Sequence, residues 1–201
     1  MTVPTVGGLD EQAISVLFTD ARTANSFAPT PVSDEELSTI WHHTRWAPTA
    51  ANCQPMRVLF VRTAEARQRL IPHLSEGNQD KTRSAPATAI LALDTDFHQR
   101  LPHLLPFRPE MREVFDADDE LRTKTAHFNA ALQAGYFILA VRAAGLAAGP
   151  MAGFDNNGID AEFFAGTTWR SILVVNIGHP GPKPWFERLP RIDPREAIDW
   201  A

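Results

Sequence analysis

Arg45-Trp46-Ala47-Pro48-Thr49-Ala50-Ala51-Asn52-Cys53-Gln54-Pro55 is a polar stretch bracketed by two prolines, lying between an amphipathic helix and an apolar strand. Upstream, Ser33-Asp34-Glu35-Glu36 reads as a capping box, with Leu37, Ile40, Trp41 and Thr44 following on one helical face. Downstream, Arg57 to Arg62 reads as a buried strand. Proline fixes φ at about −65° and lacks a backbone donor, while Ala47, Ala50 and Ala51 leave the backbone bare. A flat, polar-edged partner could therefore approach the chain and the amides of Asn52 and Gln54. An ordinary helix-to-strand connection fits the same stretch equally well.

On the N-terminal side, a helix over Leu9 to Phe18 gives way to a second polar loop. There Arg22, Thr23, Asn25 and Ser26 gather a guanidinium, hydroxyls and an amide suited to a phosphate or a polar ring edge, or simply to water. On the C-terminal side, Thr63 caps a helix to about Leu74 with a bend at Pro72. Within Gly77-Asn78-Gln79-Asp80-Lys81, the spacing puts Asn78 and Lys81 on one side of a helical turn. Pro86 to Asp94 is a second strand, and 95–118, with Pro102, Pro106 and Pro109, reads as an irregular mobile cap. Asp119 to Ala144 is expected to be an interior helix, with Leu121, Thr125, Phe128, Leu132 and Leu139 on one stripe and Phe137, Ile138 and Val141 on the other side. Gly145 ends it, Gly149 to Asp155 reads as a turn-rich loop, a short helix lies near Ile159 to Ala165, and Ser171 to Gly178 is a third strand. The proline-rich tail closes on a helix capped by Asp193.

A chain of 201 residues fits one domain, and its net charge of −5 with no long basic run argues against a nucleic-acid or membrane-surface role. The apolar stretch from Ala130 to Leu146 is interrupted by Gln133, Gly135 and Arg142, as a membrane span would not be. One cysteine, Cys53, excludes an intrachain disulfide, and the start of the chain lacks a signal-peptide pattern. A soluble cytoplasmic protein is expected. Signatures for a Rossmann dinucleotide site, a phosphate loop and a zinc protease are all missing.

Taken in order, Phe-Thr-Asp-Ala-Arg-Thr at 18–23, Pro-Val-Ser-Asp-Glu at 31–35, Pro-Thr-Ala-Ala-Asn-Cys-Gln-Pro at 48–55, Gly-Asn-Gln-Asp-Lys at 77–81, Gly-Pro-Met-Ala-Gly-Phe-Asp at 149–155 and Arg-Leu-Pro-Arg at 188–191 resemble the FMN-dependent nitroreductase family. Within it the chain looks closest to the RutE-type malonic semialdehyde reductases. The resemblance implies an α+β fold with a mixed sheet sandwiched by helices, forming an intertwined homodimer with FMN at the subunit interface. It further implies that segment 179–201 packs on the partner subunit. By position, Arg22, Thr23 and Arg188 would hold the FMN phosphate, and Asn25, Asn78 and Lys81 would address the pyrimidine edge of the ring. Pro48, Thr49, Ala50 and Asn52 would reach the flavin from the other subunit, and Gly153, beside Met151, would offer its N–H near N5. Ala21 stands where typical members have Arg, Asn25 where they have Lys or Arg, and Ala152 where many carry Glu.

The implied activity passes a hydride from NADH or NADPH through flavin N5 to a small acceptor, so no nucleophile–base pair is needed. The acceptor implied is malonic semialdehyde, with broad nitro or quinone reduction, or flavin binding without turnover, as alternatives. A carboxylated acceptor needs a cationic anchor, and Arg108 and Arg112 of the cap are the candidates.

Overall fold

The computed structural model describes residues 7–201. Asp10 caps a short helix, α1 (Glu11–Ile14), which widens into a π turn over Ser15–Thr19. Helix α2 (Asp34–Thr44) leads through the proline-bracketed loop to β1 (Met56–Val61). The expected capping box is present: Ser33 Oγ accepts from the Glu36 N–H at 3.2 Å, and the Glu36 carboxylate accepts from the Ser33 N–H at 2.7 Å. That backbone hydrogen bond, seconded by the Ser33 hydroxyl, holds the Glu36 carboxyl below its usual range. Thr63 caps α3 (Ala64–Leu70), a tight turn passes Pro72, and α4 (Glu76–Ser84) precedes β2 (Ala87–Asp94). The order then runs α5 (Leu101–Leu104), α6 (Met111–Ala117), α7 (Asp119–Ala143), β3 (Ala147–Met151), α8 (Asn156–Phe163), β4 (Trp169–Gly178) and α9 (Pro194–Ala197).

The strands form one sheet in the order β1-β2-β4-β3, which puts β1 and β3 on opposite edges. Helices cover both faces, as an α+β sandwich requires. Period-two alternation in β2 sends Ala89 and Leu91 toward Ile40 of α2 and Phe137 and Val141 of α7, and Ile90 and Ala92 toward Leu70 of α3 and Ile159 of α8. Burying one such large side chain contributes roughly 1.5–3 kcal/mol. Every pairing is antiparallel, so the mixed sheet implied by the resemblance is corrected: any parallel strand must come from outside the described chain.

Three other expectations change. Ala147–Met151, with Gly149 and Pro150 just after the long helix, is a strand and not a loop. Its low β propensity hides it, and an edge strand tolerates the proline. Gly149 is required there, because a Cβ would lie 2.7 Å from the Ala24 carbonyl oxygen. Segment 95–118 is more regular than expected: Phe97, Leu101, Leu105 and Phe115 pack with Ala126 and Ala130 on the first half of α7. Helix α7 is itself two-faced. Ala126, Ala130, Ala134, Phe137 and Val141 are buried, whereas Leu121, Phe128, Leu132 and Tyr136 face outward, Phe128 at 64% and Leu132 at 41% exposure. The stripe expected in the core is therefore uncovered by its own chain. No helix among the described residues is long and apolar enough to cross a membrane.

Candidate functional site

The loop after α1 folds against β3 and α4. Ala24 N–H donates to the Ala148 carbonyl at 3.0 Å, and Ala24 and Phe27 pack with Ala85 and Ala147. The tail joins them, with Asn25 N–H donating to the Pro184 carbonyl at 2.9 Å and Arg22 Nη1 to the Phe186 carbonyl at 3.1 Å. Arg188 donates to the Thr19 carbonyl and, at 3.3 Å, to that of Ala21. Two arginines far apart in sequence thus meet beside one loop. Thr23 is exposed, and the Asn25 amide donates to the Thr23 carbonyl at 3.2 Å. Arg22 and Arg142 line a cleft of about 300 Å³ with Asp20, Ala148 and Trp185. Arg142, expected only as an interruption of an apolar run, has its guanidinium pKa lowered by burial.

Residues 78–81 stand on the adjoining helix. Asn78 donates its amide N–H to the Gly153 carbonyl at 2.8 Å, and Ser75 N–H donates to the same oxygen at 3.0 Å. Gly153 has no room for a side chain: a Cβ would lie 2.9 Å from Ser75 Oγ and 3.0 Å from Asn78 Nδ2. Met151, two residues back, is buried with its sulfur 3.9 Å from Thr82 Oγ1. Lys81 is half-buried, and desolvation alone lowers its ammonium pKa, with no carboxylate offsetting it. Arg22, Asn25, Asn78, Lys81, Met151, Gly153 and Arg188 therefore belong to a single region along the β3 edge.

Pro48, Thr49, Ala50 and Asn52 do not join it. Their loop precedes β1, on the opposite edge, with two strands between; at about 4.8 Å per strand the two edges stand roughly 14 Å apart. The loop is strained, with Ala51, Asn52 and Gln54 at φ of 52°, 49° and 41°. Left-handed backbone at a residue other than glycine costs about 1–2 kcal/mol, so the surroundings must enforce it. Ala50 N–H donates to the buried Asn129 of α7 at 2.7 Å, Asn52 Nδ2 to the Leu104 carbonyl at 2.8 Å, and Gln54 Nε2 to Asn52 Oδ1 at 2.7 Å. The amides of Asn52 and Gln54 thus shape the loop, leaving Pro48, Ala50 and the outer face of Asn52 exposed. Cys53 packs with Phe97 and Leu101, and burial pushes its thiol pKa up to about 11, so it is not a nucleophile at neutral pH.

The cap arginines are engaged within their own segment. Arg108 Nε donates to Glu110 at 2.9 Å, and Arg112 Nε donates to Gln99 at 2.8 Å with Asp116 at 3.5 Å. Arg100 instead lines the larger cleft, about 460 Å³, with Trp41, Arg57, Phe60 and Trp169 along the β1 edge.

The residues of the β3 edge suit a flavin mononucleotide. Arg22 Nε is buried without a hydrogen-bond partner among the described residues, as a cation awaiting an anion would be. Asn78, anchored on the Gly153 carbonyl, presents a polar edge at the start of α4, and Lys81, one turn on, supplies a positive charge with no carboxylate offsetting it.

A sequence profile described as Nitroreductase family matches residues 19–179. A protein from Streptomyces coelicolor, provisionally named NADH dehydrogenase/NAD(P)H nitroreductase, is 63% identical over 190 residues, covering 94% of each chain. One of the same provisional name from Streptomyces griseus is 50% identical over 190 residues, covering 94% of this chain and 96% of its own. Among solved structures, a provisionally named nitroreductase from Bacillus subtilis superposes with a TM-score of 0.82 at 20% identity, covering 96% of this chain and 100% of its own. Another, from Exiguobacterium sibiricum and in complex with FMN, superposes with a TM-score of 0.80 at 18% identity, covering 98% and 100%.

Proposed function

The chain belongs to the nitroreductase family, and on that premise we propose that it is an FMN-dependent NAD(P)H oxidoreductase, working as a homodimer on small uncharged acceptors such as nitro compounds and quinones. The observation that carries this reading is the β3-edge cluster, where an Arg22 Nε without a hydrogen-bond partner among the described residues and Arg188 lie beside one loop and Asn78 and a Lys81 with no carboxylate offsetting it stand on the adjoining helix. Bound FMN would supply the hydride-transfer chemistry between NADH or NADPH and the acceptor. Arg22 and Arg188, with Thr23 and Arg142 nearby, neutralise the phosphate. Asn25, Asn78 and Lys81 hold the pyrimidine edge, where Lys81 favours negative charge; Gly153 and Met151 back the ring. Pro48, Thr49, Ala50 and Asn52 close the site from the partner subunit, because their own copy lies across the sheet. The outward stripe of α7 and the exposed tail side chains, Trp200 at 88% among them, supply the apolar surface for that association.

A narrower reading has malonic semialdehyde as acceptor, with Arg108 or Arg112 on its carboxylate. Both guanidinium groups would have to leave Glu110, or Gln99 and Asp116, to do so. Uncharged acceptors need no such exchange. Steady-state NAD(P)H oxidation with FMN-loaded protein is therefore expected to give kcat/KM at least about tenfold higher for nitrofurazone or a small quinone than for malonic semialdehyde. The reverse order would restore the anchoring role of the cap arginines, and oxidation independent of any acceptor tried would refute the activity.

A further inference from the structure

Helix α4 carries Asn78 and Lys81, yet its sequence Glu-Gly-Asn-Gln-Asp-Lys-Thr-Arg-Ser holds no large apolar side chain, and Thr82 is its one buried residue. Apolar burial cannot be what fixes such a helix on a sheet. A chain of hydrogen bonds, buried at its inner end, does it instead. On β2, Thr88 Oγ1 donates to Asn176 Oδ1 at 2.9 Å, which leaves Asn176 Nδ2, on β4, to donate to Thr82 Oγ1 at 2.9 Å. The Thr82 hydroxyl in turn donates to the Asn78 carbonyl at 2.9 Å, and the Asn78 amide reaches the Gly153 carbonyl at 2.8 Å. Thr88, Asn176 and Thr82 are all fully buried. Asn176 is the member set in the middle of an apolar strand, directly opposite Thr88 and Gly149 in the two neighbouring strands. Its Cβ side also forms part of the wall that would press on any side chain at Gly149.

We propose that Asn176 is a positioning residue: its buried amide, through Thr82, sets where Asn78 and Lys81 stand and so tunes how tightly the flavin is held and how readily it accepts electrons. This rests on the FMN reading above. Buried amides are costly unless both ends are satisfied, so the relay has a single low-energy arrangement, and breaking one link frees the next. Lys81 follows Asn78 by three residues and precedes Thr82 directly, so a shift of the helix moves both groups together.

The test uses T82V and N176L, with T82S as the variant that keeps the hydroxyl. Amide hydrogen exchange over α4 is measured on the apoprotein, and FMN dissociation constant and midpoint potential on the reconstituted protein. Expected are faster exchange over 79–84 in T82V and N176L, FMN binding about tenfold weaker, a more negative potential, and near wild-type values for T82S. The double variant T82V/N176L should be no worse than either single one, since both cut the same relay. Unchanged exchange would overturn the tether whatever the flavin does. Faster exchange with unaltered affinity and potential would overturn the link to the cofactor. Failure of the wild-type chain to bind FMN would sink the FMN reading and this link with it, while the exchange data still decide the tether.

Discussion

Replacing Leu132 with glutamate should break the protein into monomers and strip it of FMN. Leu132 lies on the outward stripe of α7, one helical turn from Phe128 and from Tyr136, with Leu121 two turns before Phe128, all partly open to water. If a second copy covers that stripe, a carboxylate there must be buried without a partner, which costs several kcal/mol and lowers association by a hundredfold or more. The consequence for the cofactor follows from the sheet: the 48–52 loop and the Lys81 edge of one chain are on opposite sides, so on the proposed function a monomer would have half a site. Sedimentation velocity read at both protein and flavin wavelengths checks it. A variant that stays dimeric and yellow would place the subunit contact elsewhere.

The second large effect is expected at Lys81. A charge-assisted hydrogen bond is worth roughly 1.5–3 kcal/mol, so K81M should lower kcat/KM for NAD(P)H by about ten- to hundredfold with the fold intact. The pH profile carries a sharper signature. Burial lowers the Lys81 pKa, because the charged form is the one that loses hydration. Wild-type activity should therefore fall as pH rises through a value below that of ordinary lysine. K81R, whose guanidinium stays charged, should lose that alkaline limb while keeping more activity than K81M. An identical alkaline limb in all three proteins would remove Lys81 from the chemistry.

Much of the fold was legible because local chemistry and final environment agree. Ser33 and Glu36 form the capping box that the sequence spells, Thr63 caps α3, and the apolar runs at Arg57 to Arg62 and Pro86 to Asp94 become strands within a residue of the expected bounds. Where the reading failed, the missing information was non-local. Ala147 to Met151 has no strand composition and is a strand because β4 offers it an edge. The α7 periodicity identifies an apolar stripe but cannot say whether the same chain or another covers it. The cap looks irregular by its prolines, and its order comes from Phe97 and Phe115 meeting α7.

The candidate site divides in the same way. Arg22, Asn78, Lys81 and Gly153 lie in segments that the resemblance marked, and the chain brings them together along one edge. Arg142 and Asn176 carried no signal: one charge in an apolar helix and one amide in an apolar strand gain meaning only when Arg22 and Thr82 are seen beside them. Asn52 and Gln54, read as outward-facing amides, instead hold the strained backbone at Ala51.

On the proposed function, two chains together build a flavin site that neither completes alone. Equilibrium sedimentation of FMN-reconstituted protein, recorded at both protein and flavin absorbance, tests it most directly. One FMN per chain, all of it travelling with a dimer, is the expected result; flavin carried by a monomer, or a dimer that remains colourless in excess FMN, would contradict it.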